Sequence, residues 1–144
     1  VRLVDANVLL YAVDQNAPHH DAAKGWLDNA LNGAETVLLP WMSLLAFVRL
    51  TTHPRVFDRP LSPAQALDIV DAWLGSPSAV VPEPDARHPG RLRDLLEAAG
   101  GHGGNLVNDA HLAALALRHG AVVMTFDSDF GRFPGVRWER PAGA

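Results

Sequence analysis

The chain has no cysteine and a single lysine, Lys24. Without thiols there is no disulfide framework and no thiolate metal site, and nothing points to an oxidising compartment. No apolar run approaches the roughly 20 residues needed to cross a bilayer. The opening stretch, VRLVDANVLLYAVD, is briefly apolar, but Asp5 and Asn7 interrupt it and no small-residue cleavage site follows. That argues against a signal peptide and makes the cytoplasm the expected location. Excess positive charge is also missing. The formal net charge is −4, whereas a general nucleic-acid-binding module is basic. A nuclease is not excluded, because an acidic metal cluster lowers the net charge while arginines elsewhere hold phosphates. Eleven of the 12 basic residues are arginine, whose planar fork suits phosphate and carboxylate. No internal repeat and no linker divides the chain.

What is present describes a compact globule. With 144 residues, 48% hydrophobic and 19% charged, about 70% of the unfolded surface can be buried in one domain. The pattern predicts a buried strand over Arg2 to Ala6, a short helix over Val8 to Val13 and a helix over His19 to Leu31, with apolar residues at helical spacing. A strand follows over Thr36 to Leu39. Pro40 and Trp41 open a helix to about Thr51, which Pro54 stops. Ser62 then Pro63 start a helix running to Leu74 before Gly75. Ala79 to Val81 reads as a strand, and His88–Pro89 start a helix ending at Gly100. Gly100 to Gly104 reads as a mobile loop. Asn105 or Asn108 caps a helix to His119, with Gly120 at its end. Ala121 to Thr125 is a buried strand, Phe126 to Phe133 a turn with one helical turn, and Val136 to Glu139 a last strand. Strands alternating with helices predict an α/β domain over residues 1–144, with a central, mostly parallel sheet flanked by helices.

In open α/β sheets, ligands bind beyond the carboxyl ends of the strands. That rule selects Asp5, after the first strand, and Thr125 to Asp129, after the AVVMT strand. Asp109, expected in the first turn of the alanine-rich helix that feeds AVVMT, belongs near the same rim. Singly, each has a plainer use: Asp5 or Asn7 as a helix cap, Asp109 for the helix dipole, Asp127 and Asp129 as turn formers. Together they weigh differently. Two carboxylates about 5 Å apart repel by about 3 kcal/mol at an effective dielectric near 20. A cluster of three or four therefore calls for a proton or a cation, and oxygen ligands favour a hard one such as Mg²⁺ or Mn²⁺. Other chemistry is weaker. No histidine pair, His19–His20 included, has zinc-site spacing with a third ligand nearby, and the glycine loop lacks a P-loop lysine. The four tryptophans read as core or dimer-interface residues. A phosphatase or receiver-like domain would need a lysine at the rim, and Lys24 is the only one.

Three segments carry a family resemblance: VDANVLLYA, LLAFVRLTTHPRVF and GNLVNDAHLAALALRHGAVVMTFDSDFGRFPGVRW. Together they resemble a bacterial PIN-domain toxin of the VapC group, over nearly the whole chain. The resemblance implies a Mg²⁺-dependent endoribonuclease, toxic when free, silenced by a small antitoxin that inserts into the acidic site, and homodimeric. By position, Asp5, Asp109 and Asp127 match the metal-binding aspartates and Asp129 an accessory acid. Asn7 and Thr125 match residues that orient carboxylates or waters. One departure stands out: the family's glutamate in the helix after the second strand is Ala46 here, within Leu45–Ala46–Phe47–Val48–Arg49. The alternative reading is thus a PIN scaffold that binds RNA or antitoxin and cleaves weakly. Arg49, one turn beyond Ala46, is expected to face the rim and contact RNA phosphate.

Overall fold

The computed structural model describes residues 1–100 and 105–142. Among them the strands are β1 (Arg2–Val4), β2 (Val37–Leu38), β3 (Ala79–Val80), β4 (Val122–Met124) and β5 (Trp138–Glu139). The helices are α1 (Ala6–Val13), α2 (His20–Leu31), α3 (Trp41–Thr51), α4 (Pro63–Leu74), α5 (His88–Ala98) and α6 (Asn105–His119), with a 3-10 turn over Ser128–Arg132. The sheet order is β3-β2-β1-β4-β5, and every neighbouring pair is parallel. Because all strands point the same way, their carboxyl ends form one rim. No described helix is long and apolar enough to cross a membrane.

Successive side chains of a strand face opposite sides of a sheet. Leu3, Leu38 and Val123 therefore join one core with α5, α6, Phe130 and Phe133. Val4, Val37 and Leu39 join a second core with α1 to α4, centred on Leu9, Leu44 and Phe47. The alanines of α6 explain its position. Ala110, Ala113, Ala114 and Ala116 are at most 1% exposed, so the helix is enclosed by other elements along much of its length, as an all-round apolar helix must be. Gly120 ends it at φ 60°, a left-handed conformation that glycine adopts without strain, and the chain turns straight into β4.

Several boundaries differ from the sequence reading. β1 stops at Val4, and Asp5 is the N-cap of α1, its side chain accepting from the Ala6 N–H. The helix therefore begins at Ala6, two residues before the expected Val8. α2 begins at His20, and α5 ends at Ala98 with Ala99 as its cap. α6 begins at Asn105, which places Asp109 beyond its first turn. The start of α4 is as expected: Ser62 and Gln65 form a reciprocal capping box with Pro63 in the first turn. From residue 101 on, the glycine loop lies outside the described residues. Of the tryptophans, Trp26, Trp73 and Trp138 pack against the two cores, while Trp41 is 45% exposed.

Candidate active site

The register of the central strands builds the site. Val4 pairs with Met124, so the next residues, Asp5 and Thr125, leave the sheet side by side. The Asp5 N–H donates to the Met124 carbonyl at 3.0 Å. The Thr125 hydroxyl, fully buried, donates to Asp5 Oδ2 at 2.8 Å. The Asp5 Oδ1 accepts from the Ala6 N–H at 2.7 Å. Asn7, the second residue of α1, donates from Nδ2 to Thr125 Oγ1 at 3.1 Å and to Asp5 Oδ2 at 3.4 Å. Its Oδ1 accepts from the Phe126 N–H at 3.2 Å. The backbone N–H of Asp127 donates to Thr125 Oγ1 at 3.0 Å, and that of Asp129 to Asp127 Oδ1 at 2.9 Å. Asn7 and Thr125 thus link the Asp5 carboxylate to the start of the Asp127 turn.

Asp109 completes the arrangement from α6. It makes no hydrogen bond among the described residues, and its carboxyl is pushed up to about 6, first by burial and then by the negative charges of Asp5, Asp127 and Asp129, against an opposing pull from Arg132. Burial also raises the Asp5 carboxyl, more than the hydrogen bonds from Thr125 and Ala6 lower it, and Asp127 adds to the rise. The charges of Asp5, Asp127 and Asp129 therefore all bear on Asp109, and that of Asp127 on Asp5. Their oxygens are not drawn together, however: among the described residues no group of three or more Asp, Glu or His side chains stands ready to hold a metal ion.

The donor set nevertheless fits a hydrated hard cation. A carboxylate offers about four acceptor positions. Three are used at Asp5, one at Asp127 and none at Asp109 among the described residues. Mg²⁺ keeps most of its water, so carboxylates too far apart for direct shared ligation can hold one ion through its water shell.

A recess of about 140 Å³ adjoins the carboxylates, lined by Asp5, Ala6, Met42, Ser43, Ala46, Asn108, Asp109 and Leu112. Ser43 explains why α3 presents Ala46 there. Its buried hydroxyl donates to the Val4 carbonyl at 2.7 Å, pinning α3 to the end of β1, and positions three apart share a helix face. Ala46, where the resemblance leads to the expectation of a glutamate, thus lines the acidic recess. Arg49 lies in the last turn of α3, exposed, and is not part of this lining. Three larger hollows, about 330 Å³ beside Trp26 and Glu35, about 320 Å³ beside α5 and Pro134 and about 400 Å³ beside Gln15 and Asp58, gather no group of carboxylates.

Two features escaped the sequence reading. Arg132 is the cation whose field acts on Asp109, and it pairs with Asp129 at 3.6 Å. Its place in the turn after Asp129 was the available signal. Tyr11, His19 and Phe126 form an aromatic group next to Asp127, with His19 stacked on Phe126 at 4.5 Å. No local pattern links residues so far apart in the chain.

Residues 2–136 match the PIN domain family. The chain is 52% identical over 141 residues to ribonuclease VapC37 of Mycobacterium tuberculosis, covering 98% of this chain and 97% of that one. It is 39% identical over 138 residues to ribonuclease VapC43 of the same organism, covering 96% and 93%. Its fold is similar to that of VapBC2 from Rickettsia felis bound to a promoter DNA fragment, with a TM-score of 0.70 at 19% identity, covering 96% and 97%. It is also similar to Mycobacterium tuberculosis VapC20, a sarcin-ricin loop cleaving toxin, with a TM-score of 0.67 at 18% identity, covering 95% and 99%.

Proposed function

This chain belongs to the VapC family of PIN domains, and from that premise we propose that it is a Mg²⁺-dependent endoribonuclease, the toxin of a toxin–antitoxin pair. The observation that carries the proposal is Asp109: a half-buried carboxyl without a hydrogen-bond partner among the described residues, pushed up to about 6 by burial and by Asp5, Asp127 and Asp129. Such repulsion persists in a fold when a ligand relieves it. Relatives named as ribonucleases at 52% and 39% identity support the activity.

Asp5, Asp109 and Asp127 would hold the Mg²⁺, or Mn²⁺ in its place. A bound divalent ion supplies a water of lowered pKa and a polarised phosphate. The chain's own residues supply the positioning. Thr125 and Asn7 fix the Asp5 carboxylate by hydrogen bonds to Oδ2. Asp127 is oriented by its own turn, whose Asp129 N–H occupies Oδ1 and leaves Oδ2 for the ion. Asp109 holds a proton below about pH 6 and loses it above, so at neutral pH its carboxylate is open to a cation. Asp129, paired with Arg132, would assist at the edge, and Arg49 is assigned to RNA phosphate.

A small antitoxin and a second copy of the chain complete the proposal as partners. VapBC complexes among the structural relatives support the first. Trp41 and Leu45, 45% and 60% exposed and one turn apart on α3, offer an apolar face for such contacts. The weakly active scaffold remains a second reading, favoured by the position of Ala46 in the lining of the acidic recess. Purified protein incubated with total RNA decides between them. The nuclease cleaves with Mg²⁺, stops with EDTA, and loses activity as Asp5→Asn or Asp109→Asn. Cleavage by both variants at the wild-type rate would sink the site assignment, and Mg²⁺-independent binding without cleavage would favour the scaffold.

A further inference from the structure

A rim of carboxylates repels the polyanion it is to cut, and this chain is short of the usual remedy. Its net charge is −4, and Lys24, its one lysine, is paired with Asp28. Arg132 at the site is paired with Asp129. Close to the acid cluster, contacts that do not depend on charge are therefore needed beside any phosphate contact from Arg49. Stacking of bases on aromatic rings is such a contact, and single-stranded RNA is recognised largely through it.

An aromatic group stands at that place. The His19 ring lies on the Phe126 ring at 4.5 Å and 12°, and Tyr11 tilts against both, at 5.9 and 5.5 Å. Phe126 is the residue between Thr125 and Asp127. Its N–H is held by Asn7 Oδ1, so the rings are tied to the same hydrogen-bond network that fixes Asp5. Tyr11 and Phe126 are partly buried against the α1 to α4 core, which anchors them from below. His19 is different: it stacks one ring face on Phe126 and is itself exposed. Its position is rigid. The turn that carries it is closed by Ala17 N–H to Asp14 O at 3.0 Å and His20 N–H to Ala17 O at 3.1 Å, and the His20 ring contacts the Tyr11 carbonyl at 2.8 Å. Three aromatics that served only the core would bury the outermost one as well.

We propose that His19, stacked on Phe126 and backed by Tyr11, is a nucleobase-binding platform that grips a single-stranded RNA base next to the scissile phosphate. The inference rests on the ribonuclease reading above, and it adds a positioning subsite built from residues that hold no metal.

The test uses the full chain and a mixed-sequence single-stranded RNA oligonucleotide containing 2-aminopurine. Binding is measured with Ca²⁺ replacing Mg²⁺, and KM and kcat are measured with Mg²⁺. His19→Ala should weaken RNA binding about tenfold to a hundredfold and raise KM more than it lowers kcat. His19→Tyr should restore both, because the flat ring rather than the imidazole is what counts. Quenching of 2-aminopurine should appear with wild type and His19→Tyr and vanish with His19→Ala. If wild type cleaves and His19→Ala binds, quenches and cleaves equally well, the platform is wrong and the ribonuclease reading stands. If wild type neither binds nor cleaves any RNA with Mg²⁺, that reading fails and takes the platform with it. If His19→Ala leaves RNA binding unchanged but weakens a protein partner, the rings serve protein recognition and the proposal is overturned.

Discussion

Replacing Asp109 by asparagine keeps the shape of the side chain and removes its charge. In the wild type the carboxyl is pushed from 3.8 to about 6 by burial and by Asp5, Asp127 and Asp129. At about 1.4 kcal/mol per pKa unit this amounts to about 3 kcal/mol of destabilisation once the group is ionised. Water reaching the half-buried carboxylate screens it to about 1–2 kcal/mol. The sign follows from proton binding. Between about pH 4 and pH 6 the folded state holds more protons than the unfolded one, so stability falls as pH rises through that window. The amide that replaces the carboxyl in the variant has nothing to titrate. In metal-free buffer the variant should match the wild type near pH 4 and exceed it near pH 7, with a thermal midpoint about 3 to 6 °C higher. Mg²⁺ should reverse the order. An ion at a hundred times its Kd adds about 2.7 kcal/mol to the wild type, and much less to a variant lacking one ligand. Urea and thermal unfolding across pH, with and without Mg²⁺, measure all of this. Parallel pH profiles for the two proteins, or equal stabilisation of both by Mg²⁺, would refute the reasoning.

Ala46→Glu should tighten Mn²⁺ and Mg²⁺ binding by calorimetric titration, because position 46 lines the recess with Asp5 and Asp109; unchanged affinity would mean the new carboxylate cannot reach the ion. Thr125→Val should cost about 1–3 kcal/mol in urea unfolding, since it strips a buried donor from Asp5 and an acceptor from the Asp127 N–H. Thr125→Ser, which keeps both bonds, should recover most of that loss, and a valine variant as stable as wild type would remove Thr125 from the network.

The parts of this molecule that were legible in sequence are those governed by short-range rules. The parallel sheet followed from alternating strands and helices, and the rim rule then chose Asp5, Thr125 and Asp127 without any knowledge of contacts. Boundaries were lost where two rules compete for one residue. Arg2 to Ala6 reads as a continuous strand because its apolar residues outweigh Asp5, yet the carboxylate caps the next helix and cuts the strand at Val4. Asp109 reads as a first-turn acid, but Asn105 already starts the helix. The long-range pairs were out of reach. His88 Nε2 and His111 Nδ1 meet at 2.8 Å between α5 and α6, and His19 meets Phe126 across more than a hundred residues. Neither partner carries a local mark of the other.

The same network shows why the site withstands its own charge. Asp5 is held by a backbone N–H, a buried hydroxyl and an amide, so hydrogen bonds to the ionised form offset part of its burial, though burial still raises its carboxyl. Asp109 has no such partner among the described residues, and Leu112 and Ala113, one turn further along α6 and buried, cannot offer one. A fold shaped by stability alone would place an alanine or leucine at 109 as well. The local rules of helix packing are obeyed at 110, 113 and 114 and broken at 109, and departures of that kind are expected where function sets the residue. Asp109 is therefore the position at which the mutual repulsion of the aspartates is least relieved by hydrogen bonds among the described residues.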